Sequence, residues 1–197
     1  NNDGGGTSGD SSTTGNTLFG YSINDMDVGS HNNTLIGHKV AGGGTHADMR
    51  DNVAVGTLSL YAISSGDENT AIGKNSLSAI TTGSYNTAVG SNSLVTENDG
   101  TTTTAVGYAS LNKQNTSSAA ASNNTAVGAN AGYYNVTGTG NTLIGTNSGI
   151  GAETESHSNN TAVGLNTLRV IETGSENVSI GKDSMYDANT ASGVVAV

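Results

Sequence analysis

The sequence predicts an all-β chain wound as a parallel β-solenoid, and three observations carry that expectation. Five-residue segments of the type Asn124-Thr125-Ala126-Val127-Gly128 return along the chain. Their closing glycines are Gly20, Gly37, Gly56, Gly73, Gly90, Gly107, Gly128, Gly145, Gly164 and Gly181, at intervals of 17, 19, 17, 17, 17, 21, 17, 19 and 17 residues. A short fixed period marks a stack of repeats rather than a globule. The segments are also β-branched and bounded by glycine, whereas a helical repeat needs runs of ~10 to 15 residues at a 3.6-residue period. Finally, the chain holds neither proline nor an Asn-Gly dipeptide, which removes the strongest hairpin signal and leaves every N–H free for a continuous ladder.

In chain order, residues 1–15 are Gly, Ser, Thr, Asn and Asp without an apolar side chain, the composition of a flexible lead-in. The solenoid domain is expected over 16–197, in about ten turns. Its rungs begin at Asn16, Asn33, Asn52, Asn69, Asn86, Thr103, Asn124, Asn141, Asn160 and Asn177, each closed by one of the glycines above. Three residues after the glycine comes a small residue such as Ser76 or Ser93, and four after it usually Leu or Met, as at Leu60, Leu77, Leu94, Leu111, Leu168 and Met185. Gly132 and Gly149 take that fourth slot in two turns. Two apolar marks separated by a glycine predict two short strands per turn. The insertions fall in the returns 38–51, 108–123 and 146–159, where a solenoid commonly carries binding residues. One period beyond Gly181 lies just past Val197, so Val194 to Val197 read as an eleventh rung, and the fibre is expected to continue beyond 197 as a segment of a longer chain.

Side chains alternate across a strand, so the second and fourth positions of each rung share one face and the first and third share the other. The fourth position reads Phe19, Ile36, Val55, Ile72, Val89, Val106, Val127, Ile144, Val163 and Ile180, an unbroken large apolar column expected to form the structural core. The third reads Leu18, Leu35, Ala54, Ala71, Ala88, Ala105, Ala126, Leu143 and Ala162, and is expected to be an oligomer interface. A strand apolar on both faces needs cover on both, and small residues permit close approach around the axis of a homotrimer. The rung asparagines are expected to form a turn-to-turn amide ladder. A threonine column runs through the second positions, and this parity assignment places it beside the buried Val/Ile column, against ice binding.

The formal charge of −10 opposes nucleic-acid binding, which requires clustered Lys and Arg. No window is apolar enough for a membrane-spanning helix. His31, His38, His46 and His157 lack metal-ligand spacing and read as surface residues. Asp25 and Asp27 resemble the opening of a calcium loop without its later ligands. No nucleophile elbow or phosphate loop is present. No catalytic, cofactor-binding or metal residues are therefore expected, and the chain is not read as an enzyme.

The unit from Asn69-Thr70-Ala71-Ile72-Gly73-Lys74-Asn75-Ser76-Leu77 through Thr82-Gly83-Ser84-Tyr85, followed at once by Asn86-Thr87-Ala88-Val89-Gly90, resembles repeats of bacteriophage tail fibres. It is also similar to the head domains of trimeric autotransporter adhesins. The resemblance covers about residues 16–197 and implies a left-handed β-roll wound as a homotrimer. It implies an extracellular place, on a virion fibre or a cell surface. The expected function is a structural shaft presenting a receptor-binding tip that lies outside this stretch. The alternative is an adhesin head that contacts glycan or matrix through Tyr108, Tyr133, Tyr134 and the inserted returns. The matching positions are scaffold, so no functional residue carries over.

Overall fold

The computed structural model describes residues 15–23, 29–44, 48–116, 121–153 and 155–197. Asp25, Asp27 and His46, with all of the lead-in except Gly15, lie outside them. Eleven strands form one sheet in chain order: β1 (Thr17–Tyr21), β2 (Thr34–His38), β3 (Val53–Val55), β4 (Thr70–Ile72), β5 (Thr87–Val89), β6 (Thr104–Val106), β7 (Thr125–Val127), β8 (Thr142–Ile144), β9 (Thr161–Val163), β10 (Val178–Ile180) and β11 (Val195–Ala196). Each pairs in parallel with the next, and the register matches the repeat position by position, as in Ala71↔Ala88 and Val89↔Val106. The molecule is a parallel β-solenoid of about ten turns at roughly 17-residue spacing, with no helix among the described residues. At ~4.8 Å per rung the stack is roughly 50 Å long.

Each turn holds one strand rather than the expected two. The second apolar mark is a bend, because residues two and four places after the closing glycine have left-handed backbone: Asn75 and Leu77 at φ 58° and 48°, Asn92 and Leu94 at 60° and 50°. The closing glycine is itself at φ 130° in Gly73, and a Cβ there would stand 2.5 Å from the carbonyl oxygen of Gly90 in the next turn. Glycine closes the strand because neighbouring turns touch backbone to backbone at that corner.

The two strand faces are inverted relative to the sequence expectation. Ala54, Ala71, Ala88, Ala105, Ala126, Ala162, Leu35 and Leu143 are fully buried inside a single chain, and Leu18 packs partly buried against them. These residues are core and cannot form an oligomer interface. The expected core column points outward instead. Phe19 is 73% exposed, Ile72, Val127, Ile144 and Ile180 are exposed, and Ile36, Val55, Val89, Val106 and Val163 are half-buried. Coil width explains the inversion. The left-handed bend swings Leu60, Leu77, Leu94, Leu111 and Leu168 into the interior, and Ile63, Ile80 and Ile171 close it from the return side. So little room is left beneath the strand that alanine is the side chain that fits.

Candidate functional site

The first and third rung positions both face inward, so the rung asparagines stack inside the coil. Asn69 donates Nδ2 to Asn52 Oδ1 at 3.1 Å and to the Gly83 carbonyl at 2.9 Å. The same Oδ1 accepts the Asn69 backbone N–H at 2.9 Å. The pattern recurs at Asn52, Asn86, Asn141, Asn160 and Asn177, as the sequence led one to expect. Both amide hydrogens are satisfied at every such turn, which a buried primary amide requires. Where Thr103 replaces asparagine the ladder would break. There Gln114, from the return that follows β6, offers Oε1 to Asn124 Nδ2 at 2.9 Å, and the Thr103 hydroxyl bonds that of Ser122.

Sequence reasoning missed a change of character in the return wall. Seven residues after the closing glycine it carries Ile63 and Ile80, then Glu97, Gln114 and Asn135, then Ile171, and His157 enters the same interior from the 146–159 insertion. All four polar side chains are buried. The Glu97 carboxylate accepts from the N–H groups of Asn98, Gly100 and Thr116 and from the Thr116 hydroxyl. Burial pushes its pKa up, and the bonds from Gly100 and Thr116 partly offset that. His157 is a correction to its reading as a surface residue. Its Nε2 lies 3.1 Å from the Gly149 carbonyl, which can only accept, so Nε2 carries the proton and Nδ1 faces Asn160 Nδ2 at 3.5 Å. Burial lowers its pKa to about 4, partly opposed by the Gly149 bond. The repeat spacing was the available signal, since a count of seven from each glycine exposes the polar run.

No arrangement of nucleophile and base appears in this interior, and no group of three or more His, Cys, Asp or Glu gathers among the described residues. No helix there is long and apolar enough to cross a membrane. His31 pairs its backbone with Arg50, and His38 stacks on Tyr21 at 5.6 Å.

Two surfaces remain. The first is the outward strand face, where the Phe/Val/Ile column runs beside Thr17, Thr34, Thr70, Thr87, Thr104, Thr125, Thr142 and Thr161. The threonines do share a face with the Val/Ile column, but that face looks out. The second is a groove of about 560 Å³ over the returns, lined by Thr96, Lys113, Asn115, Tyr134, Val136 and Glu153. Of the tyrosines expected to bind, Tyr134 lines the groove, Tyr133 packs edge-on against it at 4.6 Å, and Tyr108 is exposed on the strand-closing corner. No protein-family model, curated protein or solved structure matches the chain.

Proposed function

We propose that this chain is a section of the structural shaft of an extracellular homotrimeric fibre, of the kind found in bacteriophage tail fibres, which holds a receptor-binding tip away from a surface. Three left-handed coils meet through their outward strand faces, with the Val/Ile column toward the common axis. The observation that carries this reading is the outward column itself: ten successive rungs place Phe, Val or Ile on one side of the rod. An uninterrupted apolar stripe of that length is larger than a solitary soluble rod ordinarily leaves bare. A parallel in-register ladder presents the same residue at every level, so a rotation axis parallel to the rod brings like columns together.

Sedimentation equilibrium tests it. A mass three times that of the 19.5 kDa chain is expected, and Val89→Glu with Val106→Glu, on the outward face, should dissociate it into folded single coils. A folded monomer of the unaltered chain at micromolar concentration would remove the trimer. If that monomer also produced thermal hysteresis, the exposed threonine and valine array would be an ice-binding face instead. The alternative of an adhesin head is favoured by one observation, the groove over the inserted returns.

A further inference from the structure

We propose that the groove over the returns of β5 to β8 is a binding site for a neutral oligosaccharide, whatever the number of coils in the fibre. Its wall is assembled from equivalent places in successive turns. Thr96, Lys113 and Tyr134 each stand six residues after a closing glycine, and Asn115, Val136 and Glu153 stand eight after one. The groove therefore runs along the rod over four rungs, about 15 Å at the strand spacing. It belongs to the return segments and shares no residue with the outward strand columns.

The floor is held by the turn-to-turn ladder. Lys113 N–H donates to the Tyr133 carbonyl at 3.0 Å, Asn115 N–H to Val136 at 2.7 Å, and Tyr134 N–H to Ile150 at 2.8 Å. The Thr96 hydroxyl donates to the Asn112 and Gln114 carbonyls. Groups fixed on a ladder are preorganised for recognition. Lys113 and Glu153 make no ion pair among the described residues, so both heads remain available.

The side chains select the ligand class. One lysine in a chain of net charge −10 is too little for a phosphate or sulfate polymer, which needs clustered cations. The groove is too open to enclose an acyl chain. A ring with one apolar C–H face and a rim of hydroxyls meets both halves of the site: the face rests on Tyr134 and Val136, while hydroxyls donate to Glu153 and accept from Lys113. The volume lies within the ~300 to 1,000 Å³ usual for small-ligand sites.

Saturation-transfer NMR against maltotriose, cellotriose, mannotriose and tri-N-acetylchitotriose, with sialyllactose as the acidic counterpart, tests this. At least one neutral trisaccharide should bind more tightly than sialyllactose. Tyr134→Ala and Lys113→Met should each weaken it at least tenfold, while Tyr186→Ala, outside the groove, leaves it unchanged and circular dichroism shows all three variants folded. Binding by none of the neutral probes, equal binding by Tyr134→Ala, or preference for sialyllactose would overturn the site. None of these results depends on the sedimentation mass, so failure here and failure of the trimer are read separately.

Discussion

At position 143 a leucine stands where most rungs carry alanine, and six residues later Gly149 stands where most carry leucine. The two exchanges are one event. A Cβ on Gly149 would lie 2.6 Å from Leu143 Cδ2, and one on Gly132 would lie 2.9 Å from Leu143 Cδ1. Leu143 therefore fills the space that two missing leucines vacate, and the Leu35 and Ala41 pair follows the same rule. Leu143→Ala should lower stability by about 2 to 5 kcal/mol, as cavity-forming core changes do. Gly149→Leu alone should also destabilise, by overpacking. The double variant restores the pairing seen at Ala71 and Leu77, and its backbone is already suitable, since Gly149 at φ 53° matches Leu77 at 48°. It should recover more than half of the summed loss in chemical denaturation, a coupling of about 2 kcal/mol.

His157 gives the residue scale a pH dependence. Its folded pKa of about 4 lies below the ordinary 6.5, so the unfolded chain takes up the proton first. Its contribution is fully present above pH 6.5 and is lost as pH falls through that value toward 4, to a limit of about 3 kcal/mol. Glu97 acts in the opposite sense: its pKa is raised, so its favourable contribution is present at acid pH and lost as pH rises through the folded value. The difference in melting temperature between the unaltered chain and His157→Gln should therefore shrink steadily from pH 7 to pH 4, with Glu97 present in both. A constant difference across that range would remove the buried neutral imidazole.

Among the elements, the asparagine ladder is continuous except at β6, and there a glutamine of the following return mends it. Gln114→Leu leaves Asn124 Nδ2 with the Gly138 carbonyl alone, and an unmet buried donor costs about 1 to 3 kcal/mol. Thr103→Asn in the same chain should return most of that stability in thermal melting, because it reinstates the side chain that the neighbouring turns use. No recovery would mean that Gln114 acts through packing rather than as the ladder's missing acceptor. The strands themselves are only three residues long in most turns, too short to persist alone. Their order comes from pairing with the turns on either side, so stability should spread along the rod as nearest-neighbour terms.

Over the whole molecule, the chain has an interior without a thick core. With 33% hydrophobic residues it could not close a globule of this length easily, yet each turn lays a few apolar groups against identical ones above and below. The interior is complete within one coil, and the apolar groups left over lie outside, on the flat strand face. The association predicted for that face should weaken with Val89→Glu and Val106→Glu without unwinding the coil, because neither side chain enters the interior. A loss of folding in step with loss of mass would instead show that the coils hold one another up.

Repetition alone determined the architecture. The interval between Gly73 and Gly90, repeated along the chain, made each rung pair with the next in parallel and in register. It also placed the amide ladder and showed which residues share a face. Alternation along a strand is symmetric, however: it groups Thr87 with Val89 and Asn86 with Ala88 but is silent on which pair looks inward. Tertiary structure decided that, through the left-handed bend that sends Leu94 across a coil too narrow for valine beneath the strand. The same interior holds Glu97, Gln114 and His157, where hydrogen bonds reach the Glu97 carboxylate, Gln114 Oε1 and His157 Nε2.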